Sequence, residues 1–286
     1  MLLTTVVLWA LNLTVTRYIL THGFRPLAYA SVRYGLAALV FACLTLVSER
    51  ALRVPRRDLP LIAGAALALW LNQIGFVYAL KTTSASIVAL ILGATPIFAA
   101  LLSETLRTER LSERFWIGAI VSFAGVGLVA LGAGSEISGD LGGVLLGVAT
   151  AATWAAYSVA IAPLMRRYSP SRISALVLAL AWFAIALCGL PQTVDQQYAL
   201  GWDVWALLAF ATLGPLVVTN VLWFRSLHRI GPARATLAAN LQPFVAAVVA
   251  LVLLSERITW LQVAGGVLIA GGIMVARRRT LAPPSE

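Results

Sequence analysis

The residues able to do chemistry in this chain of 286 are amphipathic rather than reactive. In order they are Trp9, Asn12, Gln73, Tyr78, Thr95, Pro96, Trp154, Tyr157, Asn220, Trp223, Asn240, Gln242 and Pro243. Indole and phenol rings give apolar walls carrying one donor each, and carboxamides both donate and accept. Together they suit a neutral or zwitterionic solute of small size. Bond-breaking chemistry needs groups that are missing. The two histidines, His22 and His228, fall at the ends of apolar runs, and none of the eleven acids lies in the middle of one. No Ser/His/Asp set, metal-ligand cluster or phosphate-cradling glycine loop is present. The chain reads as a non-enzyme, with no cofactor and no metal.

The spacing of these residues repeats. At helical spacing Trp9, Asn12 and Thr16 share one face, as do Trp154, Tyr157 and Ile161, offset by about 145 positions. Gln73 and Phe76 return as Asn220 and Trp223 at an offset of 147, and Thr95-Pro96 returns as Gln242-Pro243. From Lys81 to Val129 the landmarks recur without a gap. Ala99-Ala100 becomes Ala246-Ala247, Glu109-Arg110 becomes Glu256-Arg257, and Leu111-Ser112 becomes Ile258-Thr259. Gly118 becomes Gly265 and Gly125 becomes Gly272. An offset of half the chain marks an internal duplication rather than a short-period solenoid.

The elements that must position these residues are membrane helices. Apolar residues make up 60% of the chain and charged residues 11%, against about 25% charged in soluble domains. Ten apolar runs stand at 2–21, 28–48, 59–80, 84–104, 114–132, 141–162, 172–190, 203–225, 233–254 and 259–276. Each can cross a hydrocarbon core of about 30 Å, and a bilayer admits such runs only as helices. They divide into two five-helix units, 1–135 and 140–280, joined at Glu136–Gly139. An odd number of helices per unit inserts the second copy upside down, giving an inverted repeat. The expected fold is an all-α membrane protein of ten transmembrane helices. The first residues already belong to a span and lack a small-residue cleavage site, so they read as a retained helix.

Charge sets the orientation. With a cytoplasmic N-terminus, sixteen arginines fall in inner loops or at inner ends, from Arg50 to Arg279, whereas Arg25, Lys81 and Arg257 lie outside. This bias places both termini in the cytoplasm, in a bacterial inner membrane. The net charge of +10 sits in short clusters between apolar runs, without the basic face that nucleic acid would need. The partners implied are the lipid bilayer and a small-molecule substrate, for a monomer or homodimer.

Polar groups at membrane depth need a reason. Asn12 should face protein or a cavity, and an interhelical hydrogen bond accounts for it as well as a ligand does. Tyr78 and Trp223 fit either a site or an interfacial anchor. Pro96 and Pro243 bend their spans and free backbone groups beside Thr95, Asn240 and Gln242. A matched pair of broken spans points to a transport site. Arg17 and Arg33 are expected to snorkel to the outer interface; turned inward, either could hold a carboxylate. Cys43 and Cys188 read as small buried apolar residues at a repeated position. Gly118, Gly125, Gly127, Gly265, Gly266, Gly271 and Gly272 let helices pack closely, within one chain or between two. A buried acid, on which proton-driven and cation exporters rely, is missing, so movement down the solute gradient is the simpler mechanism.

These residues resemble the drug/metabolite transporter superfamily in its ten-helix EamA branch. The likeness rests on Trp9-x-x-Asn12, Arg33-Tyr34, the Ala-Thr-Pro run at 94–96 with Leu-Gln-Pro at 241–243, and the Ser-Glu-Arg-Ile-Thr stretch at 255–259 with Gly265 and Gly272. It spans the whole chain. It implies two inverted five-helix repeats around a central cavity, walled by the first, third, fourth, sixth, eighth and ninth helices, and alternating access. Aromatic and carboxamide residues without carboxylates are similar to what a YddG-like exporter of hydrophobic and aromatic amino acids presents. Another solute class (a nucleobase, vitamin, osmolyte or drug) and a non-transporting membrane scaffold stand as the alternatives.

Overall fold

The computed structural model describes residues 1–82, 85–132, 141–254 and 259–277, and the regular structure among them is helical. The Glu136–Gly139 joint, Glu256, Arg257, Ile258, Arg278 and Arg279 lie outside the described residues, as do the side chains of Arg17 and Lys81. In chain order the helices are α1 (Leu2–Thr21), α2 (Pro26–Glu49), α3 (Leu59–Thr82), α4 (Ala85–Leu92), α5 (Thr95–Thr105) and α6 (Glu113–Gly132). They continue with α7 (Leu141–Leu164), α8 (Pro170–Val194), α9 (Trp202–Thr212), α10 (Thr219–Ile230), α11 (Pro232–Ala239), α12 (Gln242–Leu254) and α13 (Trp260–Arg277). A π-helical turn, Leu213–Val218, joins α9 to α10 without a break in direction.

Six of these segments are long and apolar enough to cross a membrane: Pro26–Glu49, Arg56–Ala79, Glu113–Gly132, Leu141–Leu164, Pro170–Val194 and Trp202–Ile230. Shorter apolar helices accompany them. Two of the expected single spans are each two helices. The run at 84–104 breaks at Gly93-Ala94 between α4 and α5, and the run at 233–254 breaks at Asn240-Leu241 between α11 and α12. The prolines do not bend a continuous helix. Pro96 and Pro243 sit in the first turn of the helix that follows each break, where a missing N–H costs nothing because that N–H has no intrahelical acceptor.

Helix pairs are fastened at their ends by polar groups and along their lengths by small ones. α2 and α8 run antiparallel. At one end Gln192 and Gln196 accept the backbone N–H groups of Leu27 and Arg25, at 2.9 and 2.7 Å, so α8 caps the start of α2. At the other, Arg172 pairs with Glu49 at 2.6 Å, and Ser169 donates to the same carboxylate. α6 and α13 approach backbone to backbone. A side chain at Gly125 would meet the Gly265 carbonyl at 2.7 Å, and one at Gly118 would overlap Gly272. The pairing is antiparallel and reciprocal, so the repeated glycines serve packing within one chain. α3 packs on α7, while α1 packs on α9, α10 and α12.

Cys43 and Cys188 correct the expectation of burial, because both are free and exposed. They stand on the outer faces of α2 and α8 among Leu39, Leu44 and Leu187, which are also exposed. An apolar residue on a membrane helix faces lipid at no cost, so hydrophobicity alone does not indicate burial.

Candidate functional site

Five aromatic side chains from three helices meet in the largest apolar cluster described, with Tyr157, Trp223 and Phe224 in its core and Trp9 and Trp154 packed against it. Trp9 of α1 lies 5.4 Å from Trp154 of α7 and 5.1 Å from Trp223 of α10, ring centre to ring centre. Trp154 and Trp223 are 5.9 Å apart, closing a triangle of indoles. Tyr157 continues the stack 5.3 Å from Trp154, and Phe224 follows 6.1 Å from Tyr157. Edge and tilted contacts at these distances are the favourable ones for aromatic quadrupoles. Trp223 and Tyr157 are fully buried, whereas Trp9 and Trp154 keep part of their surface open. The triangle is a wall with one accessible side.

Polar groups punctuate that wall, and several lack partners. The indole N–H of Trp9 donates to Thr219 Oγ at 3.1 Å, and that hydroxyl donates in turn to the Pro215 carbonyl at 2.5 Å. Trp223 Nε1, Asn220 Nδ2, Ser158 Oγ and Trp70 Nε1 are buried without a hydrogen-bond partner. An unpaired buried donor costs on the order of 1–3 kcal/mol. These four polar groups are each buried without such a partner, Trp70 and Trp223 within the apolar cluster itself. Asn220 and Trp223 sit three residues apart on α10, so their donors share a face.

The two helix breaks meet each other. Asn240 Nδ2 donates to the Gly93 carbonyl at 3.0 Å and lies 3.2 Å from Ser122 Oγ. Thr95 Oγ returns to the Leu92 carbonyl at 2.6 Å. Side chains and neighbouring helices thereby satisfy carbonyls that a broken membrane helix sets free. Asn240 and Thr95 are buried and committed to this backbone repair. Gln242 and Pro243 are half-buried at the start of α12.

Arg33 overturns the expectation of snorkelling. It turns inward, 8% exposed, with Nε and Nη2 donating to the Ala211 carbonyl at 3.2 and 3.1 Å. Nη2 also reaches Asn12 Oδ1 at 3.2 Å. Pro215 explains the geometry, since it has no N–H to offer the carbonyl four residues before it. Arg33 supplies the missing donor, and the chain passes from α9 through the π turn without an orphaned acceptor. Asn12 is thus engaged by Arg33 rather than standing free in a cavity.

The carboxamides of α3 are spent locally. Asn72 donates to the Thr150 carbonyl at 2.9 Å, and Gln73 donates to Asn72 Oδ1 at 3.2 Å. Tyr78 is half-buried towards the end of α3. The structure therefore brings Trp9, Trp154, Tyr157, Asn220 and Trp223 into one cluster, and assigns Asn12, Thr95 and Asn240 to the framework around it. Thr219, Phe224, Ser158 and Trp70 join the cluster beyond the residues singled out by spacing. Thr219 was within reach of the same signal, since it stands 147 positions after Asn72. Among the described residues no group of acids, histidines and cysteines could hold a metal.

Two successive stretches, 1–131 and 141–278, match the model of the EamA-like transporter family. The chain belongs to that family. Each half matching the same model accords with the duplication, and the membership makes this a multi-pass membrane protein of a transporter family. A probable terminal-alkyne amino-acid exporter of Streptantibioticus cattleyicolor is 29% identical, covering 96% of this chain and 94% of its own. A probable amino-acid metabolite efflux pump of Salmonella typhimurium is 27% identical, covering 94% and 91%. An uncharacterized transporter of Archaeoglobus fulgidus is 25% identical over 96% of each chain. A solved crystal structure matches 96% of this chain and 94% of its own with a TM-score of 0.81 at 21% identity, a likeness of fold.

Proposed function

We propose that this family member moves small amphipathic metabolites, hydrophobic and aromatic amino acids first, out of the bacterial cytoplasm by alternating access. The indole triangle of Trp9, Trp154 and Trp223 receives the apolar side of the solute. Asn220 Nδ2 and Trp223 Nε1 provide donors for its carboxylate or amide, and Gln242 stands as a further polar handle. The observation that carries this reading is the set of buried, unpartnered donors on an aromatic wall at membrane depth. A purely structural core would pair them or replace them with apolar groups.

The mechanism follows from the duplication. Ten spans in two inverted five-helix halves, with both termini cytoplasmic, allow one half to rock against the other about the site. The reciprocal glycine contacts of α6 and α13 support that arrangement, because equivalent positions exchange partners as across a two-fold axis. No acid in the middle of an apolar run offers a proton relay, so the solute gradient drives net movement. The relatives named as amino-acid exporters support the substrate class.

Purified protein in proteoliposomes, given labelled phenylalanine, leucine and threonine with and without a proton gradient, tests the reading. Uptake of at least one amino acid down its gradient, unchanged by pH, is the expected result. Failure with all three in folded protein refutes the amino-acid assignment and favours another solute class.

A further inference from the structure

An open recess of about 220 Å³ lies towards the C-terminal end of the long apolar segment Trp202–Ile230. Met165, Pro170 and Phe224 form its apolar walls, and Arg225, His228 and Arg229 form its polar rim. No carboxylate lines it. Of the acids on neighbouring segments, Glu49 holds Arg172 and Ser169, Asp58 holds Arg167 and Tyr168, and Glu109 accepts the Ala233 N–H beyond the end of this helix. Among the described residues no ion pair uses Arg225 or Arg229. Basic residues in the last turn of a helix complement its dipole without any ligand. That account explains neither the concavity nor the apolar floor set between two arginines at the edge of a membrane span.

We propose that this cavity binds a phosphate-bearing anion attached to an apolar or glycerol body. Arg225 and Arg229 contact the phosphate oxygens, His228 contributes a ring nitrogen, and Met165 and Pro170 meet the carbon skeleton. Basic pockets between membrane helices at the interface hold anionic headgroups in this manner. The source is the headgroup of an anionic phospholipid or a soluble phosphate ester, and both present the same group to the same arginines. Phe224 couples the cavity to the core, since it forms one cavity wall and stacks 6.1 Å from Tyr157. The inference needs membrane insertion but not the transport reading.

The test uses the full-length protein in detergent, with binding followed by native mass spectrometry and stability by thermal shift. The probes are dioleoyl phosphatidylglycerol, dioleoyl phosphatidylcholine and glycerol 3-phosphate. Phosphatidylglycerol should be retained in preference to phosphatidylcholine and should raise the Tm. Arg225→Gln with Arg229→Gln should weaken retention about fivefold per arginine. Arg53→Gln with Arg56→Gln, two exposed arginines elsewhere, should leave it intact. Stabilisation by glycerol 3-phosphate, lost in the Arg225/Arg229 variant, supports the site and makes its source soluble. Equal retention of the two lipids with no response to glycerol 3-phosphate overturns the proposal. So does a preference that survives the double substitution, or one lost equally in the control. Should the double variant not fold, Met165→Trp fills the cavity with its charges intact. Undiminished preference there overturns the proposal as well.

Discussion

Asn240 Nδ2 donates to the Gly93 carbonyl at 3.0 Å, and the two residues stand 147 positions apart. That separation is the repeat offset that carries Thr95-Pro96 onto Gln242-Pro243, so each residue bonds its own counterpart. A contact between equivalent positions is what a two-fold axis relating the halves would give. The two broken spans meet at this contact. Replacing Asn240 with Leu leaves the Gly93 carbonyl without this donor. Interhelical hydrogen bonds in membrane proteins contribute about 0.6 kcal/mol on average and up to about 1.7 kcal/mol. The expected result is a lower Tm in detergent, with a loss towards the upper figure because Ser122 loses its partner too. An unchanged Tm would show that the break is held by packing alone.

Arg33 and Pro215 should be coupled in a double-mutant cycle. Arg33→Met alone strands the Ala211 carbonyl inside the protein and is expected to be strongly destabilising. Pro215→Ala supplies an N–H for the same carbonyl, so Arg33→Met should cost less in that background. Thermal unfolding of the four proteins gives the coupling. Additive effects would mean that Arg33 serves another purpose than repairing the proline gap.

Glu109 gives a pH signature outside the membrane spans. Its Oε1 accepts the Ala233 N–H at 3.2 Å near the start of α11, while Oε2 is buried without a partner. Burial raises its pKa, opposed by the Ala233 hydrogen bond and by Arg234. The folded protein thus holds this proton more tightly than the unfolded chain. Its contribution to stability is complete below the unfolded-chain value and is lost as pH rises through the raised folded value. Glu109→Gln should keep the acceptor, remove that loss and narrow the Tm difference between mildly acidic and neutral pH. A wild type that gains stability relative to Glu109→Gln over the same rise in pH would contradict the assignment.

The α6–α13 seam should tolerate no side chain. A Cβ at Gly125 would stand 2.7 Å from the Gly265 carbonyl and 2.8 Å from the Ile269 nitrogen. Backbone atoms cannot swing away as a flexible side chain would, so the helices must separate. Gly125→Val should lower folded yield and Tm markedly, whereas Gly271→Ala, with open space around it, should be neutral. Equal behaviour of the two would argue against close packing at this seam.

Much of the architecture was legible because a membrane leaves few choices. Long apolar runs, their polar joints and the 147 offset can be counted, and the glycines at 118, 125, 265 and 272 announce a close seam. Side-chain direction was less accessible. Cys43 and Cys188 face outward because lipid accepts what a core would also accept. Arg33 turns inward because of Pro215, which lies on a helix 182 positions away. The site was readable where matched types sat on matched faces, as with Trp9, Trp154 and Trp223. It was not readable where a polar residue could serve either solute or backbone, and only the contacts of Asn12, Thr95 and Asn240 assign them to the framework.

Transport by an Asn220→Leu variant beside the wild type tests the central claim most directly. The substitution keeps the shape of the side chain and removes a buried donor that has no hydrogen-bond partner within the protein. Folding should therefore be unharmed or improved. If Asn220 Nδ2 recognises the solute, uptake of labelled phenylalanine into proteoliposomes should fall about tenfold or more at equal folded protein, matching the loss of one buried hydrogen bond. Full uptake by the variant, at unchanged or higher Tm, would contradict the account and move the solute away from the aromatic wall.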